Sequence, residues 1–451
     1  MISAFEQYFA ALRGKKIVVL GLGVSNQPLV RLLLSFGCTV TGCDRTPRER
    51  LDASVLELEQ LGCRLQLGEG YLEDLEADVV FRTPGMHPGN PALEKLRQQG
   101  AEITSEMAAF FRLCPCPILA VTGSDGKTTT TTLISEILKA DGKKVWLGGN
   151  IGTPLLDQVP QIREADLAVV ELSSFQLMDM TASPCRAVIT NLSPNHLDVH
   201  KDMQEYVDAK KNIFLYQGRE DLLVVNMDNA ITAPLLGPGI TRSFSRQGGA
   251  AHVRLENGMI YRGGTPVLKI QDILLPGVHN IENYMAAIAA VEGLVSDEAI
   301  VRVAKNFGGV EHRIELVRIK DGVRFYNDSI ASSPSRTIAG LRSFPEKVIL
   351  IAGGYDKNIP YDVLGPEICR HVKKLFLCGP TGPKIRSAVE ACDRSGPEMT
   401  DCADFEAAVR AAAAAAESGD VVLMSPASAS FDAFKNFMIR GDFFKKIIKE
   451  L

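Results

Sequence analysis

Residues 118–128 read ILAVTGSDGKT, an apolar run followed by two glycines, a lysine and a threonine. The apolar run predicts a buried strand, Ile118–Thr122, and a helix should begin near Lys127. Glycines let backbone N–H groups approach an anion closely, and the N-terminus of a helix carries partial positive charge. Lys127 can neutralise a phosphate group, and Thr128 can bind Mg²⁺. The stretch therefore predicts a phosphate-binding loop between a strand and a helix.

This loop is a variant of the commonest phosphate-binding pattern. A strict Walker A motif has a glycine where this chain has Val121. Residues 128–132 are five consecutive threonines, and β-branched residues are poor helix formers. We infer that chemistry selects at least the first of them. An ordinary glycine turn is the alternative interpretation, but the strand, loop, lysine, threonine and helix in that order favour phosphate binding.

Similar strand-then-helix patterns recur along the chain. The short apolar runs occupy residues 16–20, 39–43, 118–122, 167–171, 187–191, 222–226, 348–352, 375–378 and 421–425. Strands that alternate with helices predict an α/β protein with mainly parallel sheets and helices on both faces. Ligands gather at the carboxyl ends of the strands in such sheets. Functional residues are therefore expected just after each run.

Two stretches suggest domain boundaries in this chain of 451 residues, a length typical of about three domains. Residues 112–117 are rich in proline, and residues 306–309 end a helical pattern with two glycines. We expect three α/β domains, at 1–107, 108–309 and 310–451. The first and third are predicted to be Rossmann-like, and the central one is predicted to resemble a P-loop ATPase.

The composition argues against several classes of partner. A formal net charge of -5 makes nucleic acid or an anionic membrane surface a poor partner. The N-terminal stretch lacks the apolar core of a signal peptide, and no apolar run reaches the roughly 18 residues of a transmembrane helix. The ten cysteines show no metal-type CxxC spacing, which fits free thiols in a reducing compartment. We expect a cytoplasmic protein without membrane insertion.

Acidic and histidine residues follow the next apolar runs. Glu171 ends one run, where a carboxylate can hold Mg²⁺ beside the phosphate loop. His196, Asp198 and His200 form an HxDxH pattern that could bind zinc, but a fourth ligand is missing nearby. Loop histidines that cap backbone groups are the alternative, and both interpretations of His196 stay open. A lysine pair at 210–211 is by itself typical of a solvated helix face.

A second glycine turn lies near the N-terminus, in residues 16–26, KIVVLGLGVSN. Asp44 ends the following apolar run, 23 positions after Gly21. This spacing is similar to a dinucleotide fingerprint, which makes an NAD-dependent oxidoreductase or NAD-sensing module an alternative from another class. The third glycine of that fingerprint is Asn26 here, and no hydride-transfer residues follow it.

The motifs together resemble the Mur ligase family. The matching segments are residues 122–129, 148–152, 171–176, 191, 195–198, 279–283, 311–313 and 327–329. They occur in the family's order and spacing across all three predicted domains. Such an ordered set is far more specific than any one motif.

The resemblance implies an ATP-dependent ligase that adds D-glutamate to UDP-N-acetylmuramoyl-L-alanine through an acyl phosphate, in peptidoglycan precursor synthesis. It implies a cytoplasmic monomer with ATP and two Mg²⁺ ions. The catalytic residues are then Lys127, Glu171, His196 and Lys210. The metal ligands are Thr128, Glu171, His196 and a carbamylated Lys210. The ATP-binding residues are Gly123, Ser124, Asp125, Gly126, Lys127, Thr128, Thr129, Asn280, Asn283, Arg313 and Asp328. The sugar-nucleotide substrate meets Ser25, Asp44, Arg45, Thr46, Gly85, Asn150 and His196.

The amino-acid substrate is expected in the third domain, after two of its strands. One glycine turn there delivers Lys357, and the segment 425–430 is rich in small hydroxyl residues and opens a helix predicted at 431–437. By the resemblance, Lys357, Ser430 and Phe437 bind D-glutamate. The bland alternative is an ordinary glycine turn and a helix cap.

Two residues depart from the family pattern. Asp125 replaces the more usual asparagine and puts an extra anion beside a phosphate, which is unfavourable unless it faces a metal or N–H groups. Ile330 replaces the lysine that D-glutamate-adding members often carry. The chain also lacks the Asp-Asn-Pro-Arg motif of diamino-acid-adding relatives. A sister ligase for another amino acid is the nearer alternative, and a folate-type polyglutamate ligase is a more distant one.

Overall fold

The computed structural model describes residues 3–195, 199–392 and 395–451. The chain divides into two compact units. The larger comprises Met1–Ile270 and Glu282–Val303, and the smaller comprises Gln271–Ile281 and Ala304–Leu451. Three mainly parallel sheets run through the described residues, and helices flank each of them. The predicted α/β class is therefore confirmed.

The first sheet has the strand order β3-β2-β1-β4-β5, all parallel. Its strands are β1 (Lys16–Leu20), β2 (Thr39–Asp44), β3 (Arg64–Leu67), β4 (Val79–Phe81) and β5 (Glu102–Thr104). Its helices are α1 (Ala4–Ala10), α2 (Asn26–Ser35), α3 (Ala53–Gln60), α4 (Pro91–Gln98) and α5 (Glu106–Leu113). The central strand, β1, is buried after its first residue, which matches its unbroken apolar sequence.

The second sheet, also in the larger unit, has the order β14-β13-β12-β11-β10-β9-β6-β8-β7. Its strands are β6 (Ile118–Thr122), β7 (Val145–Gly149), β8 (Leu167–Glu171), β9 (Arg186–Ile189), β10 (Leu222–Asn226), β11 (Ile240–Ser245), β12 (Val253–Glu256), β13 (Met259–Arg262) and β14 (Thr265–Lys269). The associated helices are α6 (Lys127–Ala140), α7 (Ser174–Leu177), α8 (Met203–Lys211), α9 (Val278–Ala290) and α10 (Asp297–Asn306). Because β6 pairs with β8 on one side and β9 on the other, the loops after these three strands meet at one edge.

The smaller unit contains the third sheet, of order β15-β16-β20-β17-β18-β19. Its strands are β15 (Glu315–Lys320), β16 (Val323–Asn327), β17 (Val348–Gly353), β18 (Val372–Cys378), β19 (Glu398–Asp401) and β20 (Val421–Met424). Its helices are α11 (Pro334–Leu341), α12 (Gly365–His371), α13 (Gly382–Glu390), α14 (Phe405–Ala414) and α15 (Phe437–Glu450). Only the pair β15–β16 is antiparallel among the described strand pairs of this sheet.

One predicted helix is wrong. Residues 431–436 form turns, and α15 begins at Phe437 with the Asn436 side chain as its cap. The backbone carbonyl of Ser430 accepts hydrogen bonds from the N–H groups of Ala433 and Phe434, at 3.1 and 2.7 Å. These bonds close a tight turn, so the helix begins at Phe437, six residues after the predicted start at 431.

The predicted domain limits at 107 and 309 stay predictions. Residue 107 lies inside α5, so that helix spans the expected first boundary. A single core cluster includes residues from both the first and the second sheet, among them Val19 of β1 and Ala120 of β6. No helix in the described part of the chain is long and apolar enough to cross a membrane.

Candidate functional site

The loop between β6 and α6 requires both of its glycines. Gly123 has φ +150° and Gly126 has φ +77°, in the left-handed region that disfavours side chains. A Cβ atom at Gly123 would collide with the hydroxyl of Thr190, and one at Gly126 would collide with the amide oxygen of Asn283. Glycine is therefore needed at both positions, because the side chains of Thr190 and Asn283 leave no room for a Cβ atom.

The segment after β9 holds the phosphate loop in place. The backbone carbonyl of Asn191 accepts from Ser124 N at 2.8 Å, and its side-chain oxygen accepts from Asp125 N at 3.0 Å. The Thr190 hydroxyl donates to the Asp125 carbonyl at 2.6 Å. Ser193 N donates to the Ser124 hydroxyl at 2.9 Å. The loop is thus preorganised by hydrogen bonds, which is what electrostatic stabilisation of a reacting phosphate needs.

The threonine run has a structural explanation at three of its five positions. Thr131 and Thr132 donate to the carbonyls four residues earlier, each at 2.8 Å, and Thr130 donates to the Asn283 amide oxygen at 3.2 Å. Hydroxyl groups thus satisfy acceptors inside and beside the helix. Thr128 and Thr129 are half-buried at its first turn, where the predicted phosphate and metal contacts are expected. Lys127 donates to the Ser124 carbonyl at 2.8 Å, so its ammonium group lies over the loop.

Glu171, at the end of β8, is the carboxylate for which a metal contact was predicted. Its side chain is 1% exposed, and its Oε1 accepts a hydrogen bond from the Asn150 amide at 2.7 Å. The other oxygen, Oε2, is buried and has no hydrogen-bond partner among the residues that the structure describes. A buried carboxylate oxygen is costly unless a donor or a cation meets it. Glu171 therefore fits Mg²⁺, a cation that prefers oxygen ligands.

Lys210 is buried rather than solvated, unlike the usual lysine pair on a helix face. It is 2% exposed, and its Nζ donates to Thr122 Oγ1 at 3.1 Å and to the Gly123 carbonyl at 3.0 Å. Burial and the nearby charge of Lys127 lower the pKa of Lys210 well below its usual range, against the opposing effect of Glu171. The structure thus brings Lys127, Glu171 and Lys210 to one loop.

Tyr206 was not predicted from sequence, yet it contacts both the phosphate loop and Lys210. It is 1% exposed, its hydroxyl lies 2.9 Å from Ser124 Oγ, and its ring centre lies 4.8 Å from Lys210 Nζ. Tyr206 and Lys210 are four residues apart, so both side chains lie on one face of α8. This spacing could have indicated from the sequence that Tyr206 lies beside Lys210.

The histidine pattern is only partly described. His196 and Asp198 lie outside the described residues. His200 is buried, lies 2.9 Å from the Ser174 hydroxyl through Nε2 and stacks on Phe175 with ring centres 5.2 Å apart. Both of these contacts are with side chains, whereas the alternative to zinc binding expected bonds to backbone groups.

The first sheet presents a second loop site, at the ends of β1 and β2. Asp44 accepts hydrogen bonds from Leu22 N at 2.8 Å and Thr46 N at 2.9 Å. Burial raises the pKa of Asp44, but these bonds and the charge of Arg45 outweigh it, so the net shift is downward. The carboxylate therefore organises the two loops together.

The other predicted residues of this site lie around the same loops. Asn26, in the place of the third fingerprint glycine, donates to the carbonyls of Leu20 and Gly21 at 3.1 and 2.8 Å. Its amide thus ties α2 to β1. Ser25 directly precedes α2, and Arg45 and Gly85 are exposed.

In the smaller unit, Asp328 follows β16 and is 4% exposed. It accepts hydrogen bonds from the Ser425 hydroxyl at 2.7 Å and from Ile314 N at 3.3 Å. Burial raises the pKa of Asp328 to about 7, although these hydrogen bonds and Arg313 act in the opposite direction. Ile314 has φ +45°, an uncommon conformation for a β-branched residue, so the backbone beside Arg313 is strained.

The two predicted asparagines of α9 have different surroundings. Asn283 accepts from Thr130 and lies against Gly126 of the phosphate loop, and its contact with ATP stays a prediction. Asn280 is buried, and its amide donates to the Pro276 carbonyl at 2.6 Å. Asn280 therefore also fixes the turn before its helix.

The residues expected to bind the amino acid follow β17 and β20. Lys357 is exposed, and its neighbour Asp356 pairs with Lys384 at 2.5 Å. Ser430 is buried, but because no helix begins there it offers no helix N-terminus. Phe437 is half-buried at the start of α15 instead.

Two family models match this chain, one described as the Mur ligase middle domain over residues 121–291 and one as the Mur ligase, glutamate ligase domain over residues 312–428. Together they cover more than half of its length. The chain belongs to the Mur ligase family. The first model includes the phosphate loop, Glu171 and Lys210, so these residues lie within the part shared with the family.

Full-length relatives agree with this assignment. The chain is 52% identical to UDP-N-acetylmuramoylalanine--D-glutamate ligase of Acetivibrio thermocellus, with 100% of each chain covered. It is 49% identical to the enzyme of the same name from Ruminiclostridium cellulolyticum, again with 100% of each covered. The corresponding protein of Clostridium perfringens is 46% identical, with 99% of each covered.

Solved structures of other family members share the fold. UDP-N-acetylmuramate-alanine ligase MurC from Thermotoga maritima aligns with a TM-score of 0.60 at 18% identity, covering 97% of this chain and 99% of that one. MurF from Acinetobacter baumannii aligns with a TM-score of 0.59 at 16% identity, covering 90% and 91%. At this identity the likeness concerns the fold alone.

Proposed function

We propose that this chain uses ATP to join D-glutamate to UDP-N-acetylmuramoyl-L-alanine, a step of peptidoglycan precursor synthesis in the cytoplasm. The observation that carries the proposal is the cluster of the phosphate loop, Lys127, the buried Lys210 and the Glu171 oxygen that has no hydrogen-bond partner among the described residues. The names of the full-length relatives support the choice of substrates.

The reaction has two steps. A carboxylate oxygen of the L-alanyl group attacks the γ-phosphorus of ATP, the bond to the bridging oxygen breaks, and an acyl phosphate and ADP result. The amine of D-glutamate then attacks the acyl carbon, loses a proton and expels phosphate. Both steps bring anions together, so Lys127 and the N-terminus of α6 stabilise the charge that develops on the transferred group.

Two Mg²⁺ ions would supply further charge neutralisation at the phosphates. We assign Thr128, Glu171, His196 and Lys210 to hold them. A bare ammonium at Lys210 would repel a cation, whereas its carbamate, formed from the neutral amine and CO₂ with release of a proton, is an anion. The burial of this amine beside Lys127 disfavours its charged form and so supports carbamylation.

A dicarboxylate amino acid needs cations and donors at its binding site. Lys357 is exposed on the loop after β17, Ser430 lies on the segment between β20 and α15, and Phe437 is the first residue of α15. A hydrogen bond of 3.0 Å from Tyr355 N to the Ala429 carbonyl links the two segments. Because Ile330 provides no cation, we assign a larger share of carboxylate recognition to Lys357.

The test is a panel of amino acids. The protein is incubated with ATP, UDP-N-acetylmuramoyl-L-alanine and D-glutamate, L-glutamate, L-alanine, L-lysine or diaminopimelate, and products are identified by mass. We expect product with D-glutamate alone. Preference for another amino acid would overturn the substrate assignment and leave a sister ligase, and ADP formation without any amide product would overturn the ligase reaction itself.

A further inference from the structure

A buried arginine lies in the first turn of α15, beside the loops expected to bind the amino acid. Arg440 is 2% exposed, and no motif of the sequence pointed to it. Its Nε donates to the Ser329 hydroxyl at 3.0 Å, and its Nη2 donates to the Ser329 carbonyl at 2.9 Å. Ser329 follows directly on Asp328 at the end of β16.

The same guanidinium also binds the loop after β20. Nη1 donates to the Ala429 carbonyl at 2.9 Å, and Nη2 donates to the Ser428 carbonyl at 3.1 Å. Arg440 thus makes four hydrogen bonds to two loops that are about 100 residues apart in sequence. All four acceptors are neutral, and satisfying a buried cation with directed bonds fixes the positions of those acceptors.

Neighbouring contacts extend this network to the amino-acid site. The Ser329 hydroxyl, while accepting from Arg440, donates to the Phe437 carbonyl at 2.7 Å. The Ala429 carbonyl that Arg440 binds also accepts from Tyr355 N, in the loop that leads to Lys357. The backbone needs this support, because Ala427 is buried with φ +57°, a conformation that is costly for alanine.

We propose that Arg440 is a positioning residue for the amino-acid substrate, holding the segments of Ser430, Phe437 and Lys357 in one arrangement. The inference rests on the proposed function for the identity of that substrate. Arg440 acts through these loops and does not itself touch the reacting atoms. Its effect is therefore expected on amino-acid binding rather than on ATP binding, because Asp328 has its own hydrogen bonds to Ser425 and Ile314.

The decisive variant is Arg440→Lys, which keeps the charge but cannot donate four directed bonds. We expect the KM for D-glutamate to rise about tenfold or more, since at least two hydrogen bonds of the charged group are lost. The KM for ATP should change by less than about twofold. An unchanged KM for D-glutamate, or equal increases for both substrates, would overturn the proposal.

Arg318→Lys is the matched control. Arg318 Nη1 donates to the carbonyls of Ile448 and Lys449 at 2.9 and 3.0 Å, at the opposite end of the same helix. Loss of these bonds should lower Tm without raising the KM for D-glutamate. A rise in that KM with Arg318→Lys would mean that loosening α15 alone is sufficient, and it would overturn the specific role of Arg440.

Ser329→Ala tests the same network with a smaller change. It removes the acceptor of Nε and the donor to Phe437 while leaving the backbone acceptors, so a smaller rise in the KM for D-glutamate is expected. Amide hydrogen exchange of residues 425–434 should be faster in Arg440→Lys and in Ser329→Ala than in the wild type. The amides of β17 and β20 should stay protected in both variants. This measurement needs no substrate, so it can overturn the positioning role even if the amino-acid panel overturns the choice of D-glutamate.

Discussion

Two glycine turns of the larger unit look alike in sequence, but their backbones have different partners. Each follows a buried strand and precedes a helix, at the carboxyl end of a parallel sheet. In the turn after β1, the carboxylate of Asp44 accepts the N–H of Leu22. In the turn after β6, the lysine at the start of the helix bends back over the loop, and Asn191 holds the backbone from outside.

Similar glycine turns thus differ in the side chains that neighbouring elements bring to them. The acid beside the first turn offers its two carboxylate oxygens to the backbone N–H groups of Leu22 and Thr46. A lysine over the second turn attracts phosphate. The NAD alternative rested on the similarity of the first turn to a dinucleotide fingerprint. The helix–strand packing that its third glycine would provide is made here by the Asn26 amide.

The largest expected effect is at the lysine of the second turn. Lys127→Ala should reduce ligase activity by about 10³-fold or more, because a cation at the reacting phosphate is lost. Lys139→Ala, at the other end of α6 and paired with Glu136, is the control and should retain activity. ADP release measures both variants. Normal ligase turnover by Lys127→Ala would contradict the proposed role of Lys127 in phosphate binding at the second turn.

Lys210→Ala should lower activity by about 10²-fold or more, since the carbamate that we propose at this residue, an anion that would support metal binding, is lost. Small carboxylic acids should restore part of the activity by occupying the vacated space. Lys211→Ala is the control, because Lys211 pairs with Asp208 on the surface of the helix. If acetate and formate fail to restore any activity, the carbamate assignment is wrong.

Asp44→Asn tests the role of the first turn in substrate binding. We expect the KM for UDP-N-acetylmuramoyl-L-alanine to rise about tenfold, because the hydrogen bonds of a charged acceptor at Leu22 and Thr46 weaken. The KM for ATP should stay constant, and steady-state kinetics with each substrate varied separately measures both. A parallel rise in both constants would show that the two turns are not independent.

The same variant carries a pH signature. The folded state lowers the pKa of Asp44, so its carboxylate contributes stability above the unfolded pKa of about 4 and loses it as the pH falls through the folded pKa. Asp44→Asn should therefore be less stable than the wild type at neutral pH, and the difference should shrink below pH of about 4. Urea unfolding at several pH values measures it, and a constant difference would contradict the assignment.

The smallest expected effects are on the free energy of unfolding, when one glycine of each turn is replaced by alanine. Gly126→Ala should cost about 1–2 kcal/mol from its left-handed conformation alone, with a further cost from the contact with Asn283. Gly23→Ala is the counterpart in the first turn, where φ is not left-handed and a Cβ would meet nothing within 4 Å. Its change in unfolding free energy should stay within about 0.5 kcal/mol. Urea unfolding measures both variants. An equal loss of unfolding free energy in Gly126→Ala and Gly23→Ala would contradict the left-handed conformation of Gly126.

The α/β class and several strands could be predicted from the amino-acid sequence alone. Strands at 16–20, 118–122, 167–171 and 222–226 were predicted with the bounds that the structure has, because buried parallel strands are continuous apolar runs. The strands β12, β13 and β14 are among those that the apolar runs did not predict. They are partly exposed and carry charged residues such as Arg254 and Glu256, so no apolar run marks them.

Which side chains are buried, and what they contact, depends on how the elements pack and could not be predicted from the local sequence. Lys210 and Lys211 are neighbours with identical chemistry, yet one is under the phosphate loop and the other is at the surface, because α8 presents them on different faces. Ser430 was expected at a helix N-terminus, and the turn closed by its own carbonyl placed that terminus at Phe437. Arg440 gave no signal in the sequence, since its acceptors are backbone carbonyls, which every residue carries and only the fold brings together.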